Sequence, residues 1–247
     1  IGHFSQTIAA LMQHPEVALN ELNLVTFEEL RLALGIPNPV AIRTLTDTQM
    51  LLYMDAAMSP DTVQNSIGTL IDLPFAVDIE KLQASLAHII STYSIYRTRF
   101  VSCDIPWAEK VYQVVLPEVA LPLTIEDASE LDEQTLKARA QAWVYTAYDI
   151  HSDSLYAFKL YRRDDNNWRL ALKFHHIVID GTSLVYLTDK LGQCYDALTA
   201  GNPLPQWEDR FEEFIDIRRR EVDRFETLEY WRGRFRDCVP LSISRIP

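Results

Sequence analysis

The strongest pattern in the chain is an alternation of apolar and polar positions over Trp168-Arg169-Leu170-Ala171-Leu172-Lys173-Phe174. A period of two predicts a β-strand, because successive strand side chains point to opposite faces. Directly after it, Leu184, Leu187, Leu191, Cys194 and Leu198 recur at helical spacing. That predicts a helix starting near Thr182 or Ser183, with either hydroxyl able to cap it. Upstream, Leu155 to Arg162 reads as the first half of a hairpin that Asp164-Asp165-Asn166-Asn167 closes onto the alternating strand. Val63 to Leu73 and Trp107 to Val115 read as further strands, and Leu45 to Met54, Ile79 to Ser94, residues 129–148 and Phe211 to Trp231 as helices. Residues 1–34 read as helix, break, helix. His14-Pro15 ends the first, and Thr26 caps the second with Glu29 at the capping-box position. The breakers in Gly35-Ile36-Pro37-Asn38-Pro39 predict a linker and a boundary after residue 38.

The hand-over from strand to helix carries the candidate chemistry: His175-His176-Ile177-Val178-Ile179-Asp180-Gly181-Thr182-Ser183. If the strand persists that far, His176 shares a face with Leu170, Leu172 and Phe174, and His175 shares the other with Arg169 and Lys173. An apolar surrounding disfavours the charged form, so His176 is expected neutral near pH 7, a base with a free ring nitrogen. Asp180 is placed to orient an imidazole or to pair with an arginine, and Gly181 to let the backbone turn. Against this, a strand histidine is most often a packed residue. A metal site lacks a third ligand at convincing spacing, and there is no His-Glu-x-x-His. Ser183 as a nucleophile lacks Gly-x-Ser-x-Gly, and a capping role suits it better.

Composition narrows the classes. The chain has 247 residues, 48% of them hydrophobic, with 23 Lys and Arg against 35 Asp and Glu, a net charge of −12. A surface this acidic argues against nucleic acid and against an anionic membrane surface, both of which need cationic partners. No apolar run approaches the ~18 residues of a membrane span, and no signal peptide opens the chain. Three cysteines without Cys-x-x-Cys spacing suit a reducing compartment, so a cytoplasmic protein is expected. The chain begins with Ile1, which suggests part of something longer.

The stretch from His175 to Ser183 resembles the His-His-x-x-x-Asp-Gly-x-Ser motif of nonribosomal peptide synthetase condensation domains, relatives of chloramphenicol acetyltransferase. Further segments are similar to other motifs of that family. Gln49 with its apolar helix matches the first. Arg97, Thr98 and Phe100 match the second, His-Glu-x-Leu-Arg-Thr-x-Phe, where Tyr93, Ser94 and Tyr96 replace His, Glu and Leu. Ala147-Tyr148-Asp149-Ile150 stands in place of Pro-Phe-Asp-Leu. Phe211, Phe214 and Ile217 stand in place of the aromatic residues of the fourth motif. Residues 3–29 resemble the tail that follows condensation domains.

The resemblance implies an α+β fold: a two-layer α/β sandwich with a mixed sheet covered by helices, the chloramphenicol acetyltransferase-like half of a two-lobed domain. Residues 1–38 would be a helical tail and 39–247 the N-terminal lobe, with the C-terminal lobe absent. It implies amide-bond formation between a carrier-bound acyl or peptidyl thioester and a carrier-bound amine. His176 would be the base, His175 and Asp180 structural, Arg97 the partner of Asp180, Gly181 a backbone donor near the oxyanion, and Ser183 a support. No cofactor would bind directly; phosphopantetheine arms would come on carrier proteins. An adenylation domain and the missing lobe would be the other partners. An epimerising or ester-forming relative, a free acyltransferase and a non-catalytic platform for carriers or partner enzymes stay open. Cyclising relatives carry aspartates at the two histidine positions and are disfavoured.

Overall fold

A computed structural model describes residues 27–104, 110–151, 154–222, 225–236 and 238. The first predicted helix, its break and the Thr26 cap lie outside these residues, as does Trp107. Chain order is α1 (Phe27–Leu34), β1 (Ala41–Thr44), α2 (Asp47–Met58), β2 (Ser66–Leu73), α3 (Ile79–Thr92), a 3-10 turn (Ser94–Arg97), β3 (Thr98–Ser102), β4 (Val111–Val115) and β5 (Leu123–Asp127). Then follow α4 (Glu133–Val144), β6 (Tyr156–Asp164), β7 (Asn167–His175), α5 (Gly181–Thr199), α6 (Phe211–Val222) and α7 (Phe225–Phe235). The fold class is α+β, as the pattern and the resemblance imply. The strands form a four-stranded sheet in the order β2-β7-β6-β5, with only β5 and β6 parallel, and a three-stranded sheet in the order β1-β4-β3.

The predicted hairpin is the centre of the larger sheet. Its turn is held by Asn166 N–H donating to Asp164 Oδ1 at 2.8 Å and by the Trp168 indole donating to the Asp165 carbonyl at 3.2 Å. Leu170, Leu172 and Phe174 are fully buried against α3 (Leu82, Leu86, Ile89) and α5 (Leu187, Leu191). The polar side of β7 is buried too. α4 covers it with Leu136 and Ala140 against Tyr161 and Ala171, so helices lie on both faces of the sheet. Lys173 is therefore interior: its ammonium bonds the Thr146 hydroxyl and sits 4.0 Å from the centre of the Tyr148 ring. Both a polar contact and a π face offset part of the cost of burying that charge.

The smaller sheet was not legible as a sheet. β1 and β3 are only four and five residues long, too short for periodicity to mark, and β4 lies within the run read as Trp107 to Val115. One face packs α1 and the following residue Ile36 against Tyr112 and Val114. The breakers at 35–39 end α1, with Gly35 at φ +65°, but they do not end the compact unit. Compact units divide after Glu208, into 1–208 and 209–247, and Leu30, Leu34 and Ile36, on the N-terminal side of the boundary expected at residue 38, pack in the core beneath the three-stranded sheet.

On the other face, α2 docks through a buried amide pair. Thr46 caps α2 with a full capping box to Gln49, and Gln49 and Gln113 exchange hydrogen bonds at 3.3 Å. Gln113 also donates to the Thr44 carbonyl at 2.8 Å, so a fully buried side chain is satisfied.

Gly68 sets how closely β2, β7 and α4 approach. A Cβ there would lie 2.2 Å from the Leu172 carbonyl oxygen and 2.9 Å from Val144 Cγ1. Gly68→Ala should cost about 1–3 kcal/mol of unfolding free energy, the usual penalty for overpacking, read as a lowered urea midpoint. A midpoint at the wild-type value would show that β2 does not lie in this register.

Candidate functional site

β7 ends at His175, whose backbone N–H donates to the Leu155 carbonyl at 2.8 Å. The chain then turns, with Val178 N–H donating back to the His175 carbonyl at 3.1 Å. Ile177, Val178 and Ile179 sink into the main core, each at most 5% exposed. Three consecutive apolar anchors leave the turn little freedom, and α5 starts on their far side.

The two histidines differ in surroundings, but not as strand parity suggested. The strand stops one residue short of His176, so the dry ring is His175, 3% exposed and edge-on to Tyr148 at 6.0 Å between ring centres. Burial depresses its pKa to about 4, the neighbouring His176 adds to that, and Asp55 opposes it. Its Nδ1 accepts the Ile177 N–H at 3.1 Å, which places the single proton of the neutral ring on Nε2. The expectation that His176 sits on the dry face is thereby corrected. His176 is half-exposed, just past the strand, and its backbone N–H donates to the Asn65 carbonyl at 2.7 Å. Asn65 in turn donates its side-chain amide to Asp55 Oδ2 on α2 at 2.7 Å. Pattern reading missed this Asp55–Asn65 clamp, which joins residues far apart in the chain; only the structure brings them together.

Asp180 caps α5. Its Oδ1 accepts the Ser183 N–H at 2.7 Å, so the cap is neither hydroxyl suggested by the sequence, and Ser183 contributes its backbone amide. That bond holds the Asp180 carboxyl below the usual carboxylate range, helped by His176 nearby. Arg97 does not pair with Asp180. Its guanidinium donates to the carbonyls of Leu116 at 2.5 Å and Pro117 at 3.4 Å, tying the 3-10 turn to the end of β4. Gly181 has no positive φ, unlike Gly35 and Gly201, so the turn does not require glycine. What its missing side chain leaves is room: a Cβ there would meet nothing within 4 Å. The structure thus brings His175, His176, Asp180, Gly181 and Ser183 together and leaves Arg97 turned elsewhere.

Tyr96, which stands where the resembled motif has leucine, packs beneath this turn. Its ring lies 5.9 Å from Phe174 and 6.1 Å from Tyr156, and the residue is 7% exposed. Elsewhere, an apolar cleft of about 370 Å³ opens between β2 and α5 at Ile71, Leu170 and Leu191. Leu170 is six strand residues from His176, roughly 20 Å, and fully buried Leu172 and Phe174 lie between, so that cleft does not reach the imidazole. Among the described residues, no group of three or more His, Cys, Asp and Glu is placed to hold a metal ion, and no helix is long and apolar enough to cross a membrane.

Comparison with known proteins follows the same lines. The model of a family described as Condensation domain matches residues 41–245. The chain is similar to gramicidin S synthase 2 of Brevibacillus brevis, 27% identical over 193 residues, which is 76% of this chain and 4% of that protein. It is similar to chondramide synthase cmdD of Chondromyces crocatus, 30% identical over 177 residues, 68% of this chain and 4% of that protein. Its fold matches the starter condensation domain of rhizomide synthetase RzmA with a TM-score of 0.71 at 16% identity, over 81% of this chain and 49% of that one. It also matches the first condensation domain of the calcium-dependent antibiotic synthetase, in complex with a substrate analogue, with a TM-score of 0.68 at 21% identity, over 83% and 52%. The chain therefore spans about half of these structures and a few per cent of the curated relatives.

Two predictions follow from the geometry. Between pH 6.5 and about 4 the unfolded chain protonates His175 and the folded chain does not. Stability is therefore full above pH 6.5 and falls with pH through that window, by roughly 3 kcal/mol at most from this ring. His175→Gln should remove that part of the slope in urea unfolding at pH 7, 5.5 and 4; an unchanged slope would refute the buried neutral ring. Separately, Asp180→Ala should cost about 1 kcal/mol through the lost cap. Combined with Arg97→Ala, the two effects should add within about 0.5 kcal/mol. A coupling well beyond that would restore the ion pair.

Proposed function

Given that this chain belongs to the condensation-domain family, we propose that it is the N-terminal lobe of a domain that joins a carrier-bound acyl or peptidyl thioester to a carrier-bound amine. The observation that carries this reading is His176. Its backbone N–H is held by the Asn65 carbonyl, the residue is only partly buried, and it lies near the Asp180 carboxylate that caps α5. A base that must meet an incoming substrate needs a fixed backbone and a side chain that is not sealed in the core.

In the proposed reaction the amine lone pair attacks the thioester carbonyl carbon, and the carbonyl π pair moves onto oxygen. His176 takes the N–H proton. The oxygen lone pair then re-forms the carbonyl, the C–S bond breaks with its electrons on sulfur, and the thiolate takes the proton back from His176. The products are an amide and a thiol. His175 holds the turn through Ile177, Asp180 and Ser183 fix the start of α5, and Arg97 braces the 3-10 turn that precedes β3. The phosphopantetheine arms that would present both substrates belong to partner carrier proteins, and no resident cofactor is needed. An adenylation domain, a C-terminal lobe closing the site and a cytoplasmic setting complete this reading.

The test uses the full-length protein that contains this chain, with donor and acceptor carriers loaded and product followed by mass spectrometry. His176→Ala should lower the rate by about a hundredfold to ten-thousandfold. Equal product from the variant removes the base assignment. Carrier binding without product from any loaded pair supports a non-catalytic platform instead, for which Arg97 turned away from Asp180 is the specific observation.

A further inference from the structure

Lys173 stands on β7 shortly before His176, and the reaction proposed above makes no use of it. The residue is 5% exposed. Burial lowers its pKa, and among the described residues no carboxylate opposes that shift. A charged side chain that loses its hydration without a partner of opposite sign costs free energy, so lysine is almost never buried in this way. The sheet nevertheless leaves it room. Its cross-strand neighbours are Gly68 on β2 and Ala157 on β6, the two smallest residue types.

The ammonium holds the segment that follows α4. It donates to the Thr146 hydroxyl and lies 4.0 Å from the centre of the Tyr148 ring. Tyr148 returns the contact, donating its hydroxyl to the Lys173 carbonyl at 3.1 Å. Ser66, which pairs with His175 across the β2–β7 ladder, donates to the Thr146 carbonyl at 3.0 Å. Tyr148 also meets the His175 ring, with centres 6.0 Å apart and planes at 72°. That imidazole accepts the Ile177 N–H and so sets the turn. Lys173, Tyr148, His175 and Ile177 therefore form one continuous chain of contacts that ends at the backbone of His176.

We propose that Lys173 is a positioning residue of the site: its ammonium holds Tyr148 against His175 and, through the bond from Ile177 to His175, fixes the turn that carries His176. A π face attracts a cation far more strongly than a methyl group. A neutral side chain of similar length therefore loosens the Tyr148 ring, water reaches His175, and its bond to Ile177 competes with solvent. The proposal rests on the amide-forming reading above.

Two measurements on the full-length protein that contains this chain test it. Lys173→Met keeps the stem and removes the charge; Tyr148→Leu removes the ring. With loaded carriers each should lower kcat about tenfold or more, with KM for both carriers changed by less than about twofold. The double variant should be within about twofold of the slower single one, because both changes break the same chain of contacts. Wild-type turnover in Lys173→Met, alongside loss of product in His176→Ala, overturns the proposal and leaves the amide-forming reading standing. Losses that multiply in the double variant overturn it as well.

The second measurement needs no turnover: backbone amide hydrogen exchange followed by mass spectrometry. Lys173→Met should speed exchange at the Ile177 and Val178 N–H groups about tenfold or more and leave peptides from the buried middle of α3 and α5 at wild-type rates. Tyr148→Leu should give the same pattern, and it decides the matter if Lys173→Met does not fold. Wild-type protection of the turn in a folded variant overturns the proposal. Faster exchange throughout the sheet and helices marks a lysine that only stabilises the fold, and overturns it too. If the wild-type protein forms no product with any loaded pair, the amide-forming reading falls, and the exchange pattern alone upholds or overturns Lys173 as the group that holds the turn.

Discussion

The hydrogen bond from the Ile177 N–H to His175 Nδ1, 3.1 Å long, is the constraint on which the rest of the site depends. It exists only while the ring is neutral, because a protonated Nδ1 has no lone pair to offer. The ring stays neutral because the fold dries it: Tyr148 on one side, and a core that leaves it 3% exposed. Packing thus sets a protonation state, the protonation state makes an acceptor, and the acceptor sets the path of the turn. That path sends Ile177, Val178 and Ile179 inward and leaves His176 half-exposed. A charged or wet His175 would lose the bond and the turn with it.

The clamp on His176 comes from the opposite direction in sequence. Asn65 immediately precedes the edge strand β2, and Asp55 lies on α2. α2 is itself positioned by Gln49 and Gln113, which lock it onto the three-stranded sheet. The small sheet, and α1 beneath it, are therefore part of what aims the imidazole, although neither touches it. The tight approach at Gly68 serves the same end, because β2 can carry Asn65 to His176 only if it sits close on β7. Leu30, Leu34 and Ile36, which precede the boundary expected at residue 38, contribute the core on which that platform rests.

Local pattern carried the hairpin, α3 and α5 into view, because their periodicity is long and one face of each is buried. It missed β1, β3 and β5, which are four or five residues long and gain their strand character from pairing. At the site, the sequence was sufficient for the identity of the residues and insufficient for their surroundings. Strand parity assumes the strand continues; it ended one residue early, and the dry and wet histidines exchanged places. The cap moved from a hydroxyl of Thr182 or Ser183 to Asp180 because a carboxylate two or three positions earlier could reach the N–H of Ser183. Lys173 lies on the polar face of the alternation, and α4 and Tyr148 cover that side of β7. Each of these depends on tertiary packing that no window of neighbouring residues encodes.

Asp180 shows why the Arg97 pairing is not needed here. A carboxylate at a helix N-terminus is stabilised by a backbone N–H and by the positive end of the helix dipole, and Asp180 has the Ser183 amide at 2.7 Å. An arginine brought to the same spot would have to give up its bonds to the Leu116 and Pro117 carbonyls, which hold the 3-10 turn against β4. That turn carries Tyr96. Arg97 in its observed place therefore braces the turn that packs Tyr96 against Tyr156 and Phe174. The two histidines divide the remaining work in the same way. One gives up solvent to hold the backbone still, and the other keeps its solvent access because the backbone beneath it is held.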